Sequence, residues 1–256
     1  MTTGPGSHEH LPPPLARSRW FPFGHSTAPG TGQYRWVYLW GAPLRAMHWL
    51  AAICIVVLAA TGFYIGRPYL FGPAENTAGF LMGYVRLVHF LAAGLLVVTG
   101  IVRGYWLFAG NQFERLPALF PVRPRDWVNF VAQLKYYLLI HPERAPHYLG
   151  HHPMQQMSYT GMYLVTLLAI VTGFTLYGQS NPGGFWFTLT LPVAPLLGGL
   201  QIVRFVHHVL VWVFILFAIL HVYLVLRNDI LDRSGGLSSI VSGGHFVRSD
   251  LDYVDE

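Results

Sequence analysis

The sequence predicts an all-α membrane protein, a four-transmembrane-helix bundle with both termini cytoplasmic. Three observations carry this. Of 256 residues, 53% are hydrophobic and only 11% are charged, whereas an average soluble domain is about 25% charged. Four apolar segments each meet the length of about 20 residues needed to cross a hydrocarbon layer of about 30 Å. The basic residues are distributed unevenly between alternate connections, thirteen against three, which fixes an orientation.

Residues 1–33 are rich in Pro, Gly, Ser and Thr and read as a disordered or loosely attached tail, with His8, His10 and His25 in solvent. They contain no apolar run of the signal-peptide kind. The four spans are expected at about 44–65, 84–108, 157–177 and 203–226, within a domain covering 34–227. Helices are expected because lipid cannot satisfy open backbone groups. From Ala145 to Val203 there is no formally charged residue. Of the connections, 66–83 and 178–202 are Gly/Pro-rich, and Phe185–Leu191 reads as an interfacial run. In 109–152, the stretch 125–140 mixes apolar, aromatic and charged positions at helical spacing, as a helix lying on the membrane surface would. Residues 228–256 read as a cytoplasmic C-terminal tail.

With both ends inside, the cytoplasmic side holds Arg17, Arg19, Arg35, Arg45, Arg103, Arg115, Arg123, Arg125, Lys135, Arg144, Arg227, Arg233 and Arg248; the opposite side holds Arg67, Arg86 and Arg204. The net charge of +5 does not indicate nucleic-acid binding, because the basic residues form no single face with interleaved aromatics. One cysteine, Cys54, excludes an intrachain disulfide framework, a cysteine-ligated iron–sulfur cluster and a Cys-rich zinc site. Histidine remains as the abundant metal ligand.

His48, His89, His207, His208 and His221 lie in or at the edges of the apolar segments. Ionisable residues there are functional candidates by default, although any one of them also suits a hydrogen-bonded core position. His207 and His221 are fourteen residues apart. At 100° per residue they are about 40° out of register, and they lie about 21 Å apart along the axis. His208 faces mostly away and reads as a lining residue. The charge-derived topology sets the others in two level pairs, His48 with His221 at the cytoplasmic side and His89 with His207 at the periplasmic side. Arg45, Arg86 and Arg204 each precede a histidine of these pairs by three residues, one turn away on the same face. Such a fork beside an imidazole suits haem, with two axial imidazoles on iron and arginines meeting the propionates. Interfacial anchoring is the alternative use of these arginines. Paired ligands leave iron no open site, and no Cys-x-x-Cys-His occurs, so the pattern is that of a non-covalent b-type cytochrome. Trp49 and Trp212 read as haem-edge or interfacial residues, and Gly62, Gly94, Gly100, Gly161 and Gly173 as sites of close approach.

The stretch Arg45-Ala-Met-His48-Trp49-Leu50 with Ala60-Thr61-Gly62, and the stretch Arg204-Phe-Val-His207-His208 with Trp212, Phe217 and His221, resemble the two signatures of the b-type cytochrome subunit of membrane-bound [NiFe] hydrogenases. Gly104-Tyr-Trp, Gly110-Asn111, Gly150-His-His-Pro, Gln156-Met-Ser-Tyr159 and Ser238–Gly243 are similar to that family too. The similarity covers about 34–247; Ala46 and Phe205 depart from the usual choices without replacing a ligand. The resemblance implies a bacterial inner-membrane subunit that anchors a periplasmic hydrogenase through its small subunit and, through that, the large one. It implies two haems b, with His89 and His207 holding the periplasmic iron and His48 and His221 the cytoplasmic iron, and quinone as electron acceptor. Asn111, His151, His152, Gln156 and Tyr159 offer donors for a quinone carbonyl, or serve as loop and cap residues. No hydrogen-activating site is expected in this chain. The competing readings are a cytochrome subunit of another respiratory complex such as formate dehydrogenase, a His-containing membrane transporter, and a structural anchor without haem.

Overall fold

The computed structural model of the chain describes residues 34–68, 80–137, 147–232, 235–249 and 251–256. The N-terminal tail with its three histidines lies outside them, as do Arg144 and Arg233. In chain order the described residues form β1 (Tyr34–Tyr38), α1 (Ala42–Gly66), α2 (Leu81–Ala109), α3 (Leu116–Leu119), α4 (Pro124–Tyr137), α5 (Pro153–Gly178), α6 (Phe185–Thr190), α7 (Val193–Leu197), α8 (Leu200–Asp232), α9 (Gly236–Ser242) and β2 (Gly244–Arg248).

Four helices, α1, α2, α5 and α8, are long and apolar enough to cross a membrane. In their most apolar stretches only 6–17% of residues are buried inside the chain. Leu91, Ile101, Leu164, Trp212 and Ile219 are among the apolar side chains turned outward. An exterior of that kind is stable only in lipid. Each helix extends past the span expected for it, because its ends are fixed by local chemistry beyond the lipid. Pro43 occupies the first turn of α1, and Pro153 begins α5, where its missing N–H costs nothing. His152 caps α5 through a reciprocal arrangement with Gln155: the Gln155 N–H donates to the His152 ring, and the Gln155 side chain accepts from the His152 N–H.

The cap at one end of the bundle was not foreseen. β1 and β2 pair antiparallel, Tyr34 opposite Arg248 and Tyr38 opposite Gly244. The two ends of the described chain therefore lie at the same end of the bundle. The C-terminal segment, expected as a tail, contributes a helix, a strand and a docked terminus. Leu39, Phe113, Leu149 and Val247 form the cap's buried core, with Val37, Trp40 and Tyr253 against it. The Asp255 carboxylate accepts from the N–H groups of Leu149 and Gly150 at 2.7 and 2.8 Å. Gly243 sits at φ 97°, and a Cβ there would meet the Tyr38 ring at 2.5 Å; the tight passage from α9 into β2 requires a glycine. Tyr34, Trp36, Tyr38 and Phe246 stand exposed on the outer face of the ribbon, as aromatics at a membrane–water boundary do.

The surface helix of the middle connection is α4. Trp127, Val128, Val131 and Leu134 point outward, while Asp126 and Gln133 are buried against the protein. That polarity is inverted relative to a soluble helix and suits an apolar face laid into the interface.

Candidate functional site

At the end remote from the cap, α2 carries His89 and α8 carries His207, close enough to each other to interact electrostatically. Each is held by a Thr-Gly pair on a neighbouring helix. Thr61 Oγ1 of α1 lies 2.8 Å from His89 Nδ1, and Thr172 Oγ1 of α5 lies 2.9 Å from His207 Nδ1. The next residue in each case is a glycine at the ring's edge: a Cβ on Gly62 would stand 3.5 Å from His89 Cε1, and one on Gly173 would stand 3.2 Å from His207 Cε1.

At the cap end, His48 of α1 faces His221 of α8 with ring centres 6.3 Å apart and planes at 49°. Phe217, one turn before His221, stacks on it at 5.6 Å, and Trp49 meets His48 edge-on at 5.3 Å. His48 Nδ1 is buried, with no hydrogen-bond partner among the described residues. The four histidines are thus brought together two by two, at two levels along the bundle.

Whether these pairs fit haem can be tested on their donor set. No group of three or more metal-ligating side chains exists among the described residues. Two imidazoles without a third protein ligand fit a metal that brings its own equatorial donors, as haem iron does. Two nitrogens on opposite sides of a metal at about 2 Å, with about 1.1 Å from each nitrogen to its ring centre, place the ring centres about 6.2 Å apart. The spacing of His48 and His221 matches that value. The residues fit.

The flanking arginines differ. The Arg45 guanidinium donates to the Val241 carbonyl, tying α1 to α9. Arg86 and Arg204 are exposed. His208 is also exposed, and its Nδ1 donates to the Arg204 carbonyl at 3.0 Å. Its ring fills the space beside Gly66, where a Cβ would stand 2.4 Å from Nε2.

Beneath the cap lies a second polar cluster. His151 is buried between the Trp40 ring at 4.6 Å and the Tyr159 ring at 4.8 Å. Burial, with His152 and Arg103 nearby, pushes its pKa down to about 3, so the ring is neutral. Gln156 donates to the Ala118 carbonyl at 3.2 Å, and its buried Oε1 has no partner among the described residues. Arg103 of α2 is buried too, donating to the Glu114 carbonyl at 3.2 Å, and its Nη1 has no partner among the described residues. Three unsatisfied polar atoms, on Arg103, His151 and Gln156, thus lie in one cluster beside Tyr159. Arg103 was counted in the sequence only as a cytoplasmic charge, and nothing in the hydropathy pattern marks it as buried.

Asn111 has another task. Its Nδ2 donates to the Leu39 carbonyl and its Oδ1 accepts from the Phe113 N–H, both at 2.8 Å. Both ends of the amide are committed to the cap backbone, which leaves little for a ligand.

A lipid-facing four-helix bundle with a histidine pair near each end suits the class of integral membrane cytochromes. The chain belongs to the prokaryotic cytochrome b561 family, whose model matches residues 39–243. Proteins described as probable Ni/Fe-hydrogenase B-type cytochrome subunits are similar to it. The one from Cupriavidus necator is 39% identical over 209 residues, covering 80% of this chain and 85% of the relative. The one from Azotobacter vinelandii is 37% identical, covering 84% and 90%. A probable Ni/Fe-hydrogenase 1 B-type cytochrome subunit from Escherichia coli K12 is 33% identical, covering 80% and 89%. The resemblance carried by the two histidine-bearing signatures is borne out, and membership in a b-type cytochrome family makes haem b the cofactor.

Proposed function

We propose that this chain is the membrane subunit of a Ni/Fe hydrogenase in the bacterial inner membrane, carrying electrons from the partner's small subunit on the periplasmic side, through two haems b, to quinone. The two facing histidine pairs carry this reading. On α8 they stand fourteen residues apart, or about 21 Å along the axis, one near each end of the bundle. The relatives' names support the hydrogenase partner, and the basic-residue bias supports a cytoplasmic cap with both termini inside.

Haem supplies one-electron redox chemistry when bound. His89 and His207 would hold one group and His48 and His221 the other, each pair supplying two imidazole nitrogens to the iron. Gly62 and Gly173 keep the ring edges of the remote pair free of side chains. Beneath the cap, Arg103, His151, Gln156 and Tyr159 present the polar atoms for a quinone head group. Reducing a quinone to quinol takes two electrons and two protons. Protons taken up at the cap, opposite those released by hydrogen oxidation at the periplasmic face, separate charge across the membrane.

The test is a pyridine haemochrome assay on the purified chain with metal analysis of the intact complex. Two haems b per chain and a nickel-containing partner are expected. Molybdenum in the partner overturns the hydrogenase assignment in favour of a formate dehydrogenase-like complex. Absence of a Soret band returns the chain to the transporter or bare-anchor readings. His89→Ala and His48→Ala should each remove one haem and leave the other; losing both, or neither, contradicts the pairing.

A further inference from the structure

The same device holds both histidines of the remote pair. Thr61 Oγ1 lies 2.6 Å from the Val57 carbonyl and 3.3 Å from that of Leu58. Thr172 Oγ1 lies 2.7 Å from the Leu168 carbonyl and 3.1 Å from that of Ala169. A hydroxyl has one hydrogen and a carbonyl has none, so each threonine donates back into its own helix. Its oxygen is then left to accept, and the group offered to it is the imidazole Nδ1. That nitrogen must therefore carry the proton, and Nε2 of both His89 and His207 presents a lone pair. The hydroxyl, polarised by its own donation to a carbonyl, is the better acceptor for it.

We propose that Thr61 and Thr172 are positioning residues that lock His89 and His207 in the Nδ1–H tautomer, and that they hold the reduction potential of the iron between them below the value it would otherwise have. The proposal rests on the reading that these two histidines ligate haem iron. A hydrogen bond from the far nitrogen of a ligating imidazole fixes the ring and makes the ligating nitrogen more basic. A more basic ligand favours the oxidised metal. At the cap end, by contrast, His48 Nδ1 is buried with no partner among the described residues. On that contrast the remote site would have the lower potential, and electrons arriving there would pass downhill towards the cap.

Thr99 supplies the control. It is buried, is followed by Gly100, and makes the same back-bond, to the Leu95 carbonyl at 2.8 Å. No imidazole is bonded to it among the described residues.

The experiment is a potentiometric titration of the haem α-band, with low-spin electron paramagnetic resonance spectra, on the full-length purified chain. Thr61→Val and Thr172→Val remove the hydroxyl and keep the shape; Thr61→Ser and Thr172→Ser keep the hydroxyl. Each Val variant is expected to raise the midpoint of one haem and to shift that haem's g-values, leaving the other haem unchanged. The Ser variants and Thr99→Val should titrate as the unmodified chain does. Val variants that bind two haems with both midpoints unmoved overturn the proposal, and so does an equal rise in both midpoints or a rise caused by Thr99→Val. Should a Val variant lose haem, retention by the matching Ser variant supports the hydroxyl's role, with affinity weakened on the order of 10- to 100-fold in the Val form; loss from Ser as well overturns it. An unmodified chain without two bis-histidine haems removes the ligand reading itself, a failure distinct from these.

Discussion

Glu114 offers a direct test of how the cap is fastened to the bundle. Its side chain is 1% exposed, and it accepts from three donors on different segments. The Gly41 N–H at the start of α1 reaches Oε1. The Trp106 indole N–H at 2.8 Å and the Asn111 N–H at 3.3 Å reach Oε2. Replacing it with Ala leaves all three buried donors unpaired, at about 1–3 kcal/mol each. Water admitted to the new space offsets part of that, and a net loss of about 3–6 kcal/mol is expected. Glu114→Gln keeps an oxygen facing Trp106 and Asn111 but turns an amide donor towards the Gly41 N–H, so one pairing is lost and about 1–3 kcal/mol is expected. At about 2–4 °C per kcal/mol for a chain of this size, the Ala variant should melt roughly 6–24 °C lower, with the Gln variant between. The assay is thermal unfolding of the detergent-solubilised chain, followed by fluorescence of Trp40 and Trp106. If the Ala variant melts with the unmodified chain, or the Gln variant is the weaker, Glu114 is not the fastening described.

Further outcomes follow from the same structure. His151 has a pKa of about 3 when folded, against about 6.5 unfolded. Below pH 6.5 the unfolded chain binds a proton that the folded chain does not, so stability is full above that pH and is lost as pH falls towards 3, by up to about 1.4 kcal/mol per unit. Melting midpoints that stay flat from pH 6.5 to 4.5 would refute this. Gly243→Ala strains a φ of 97° and drives a Cβ to 2.5 Å from the Tyr38 ring; a loss of about 1–3 kcal/mol is expected, read as a lower melting midpoint. Tyr159→Phe should slow quinone reduction about 5-fold, from one lost hydrogen bond, at unchanged haem content; an unchanged rate with a soluble quinone analogue removes Tyr159 from the pocket.

The helices and the histidine pairs were legible because both are periodic signals. A run without charge gives a span, and residues fourteen apart on one helix share a face. The cap was not legible, because its parts are local only in space. Tyr34–Tyr38 has no partner until Gly244–Arg248 returns past four spans, and both strands are too short and too exposed to announce themselves. In the sequence Arg103 counts only as a cytoplasmic charge, and nothing marks Glu114 as a buried acid. Their burial follows from the cap, which folds over the end of α2 and shields both from water. Thr61 and Thr172 were equally invisible as partners, since a threonine in an apolar helix reads as a residue bonded to its own backbone, and these are bonded that way as well.

The cap and the Thr-Gly pairs divide the labour between the two ends of the molecule. In lipid, helices gain nothing from hiding apolar surface from one another, so ligand geometry must be set by specific polar contacts. At the remote end those contacts are the threonine hydroxyls, each supplied by a helix beside the one it serves. At the cap end no such hydroxyl serves His48 among the described residues. Its position depends on the start of α1, which is fixed by the Gly41 N–H on Glu114 and by the Arg45 guanidinium on the Val241 carbonyl. Loosening the cap through Glu114 should therefore disturb the His48–His221 pair and leave His89–His207 intact. Removing a threonine hydroxyl should do the reverse. A double variant of Glu114 and Thr61 should then show additive effects on the two histidine pairs, since separated sites with no shared partner do not couple. Strong non-additivity would mean that one set of contacts holds both pairs, and the division drawn here would be wrong.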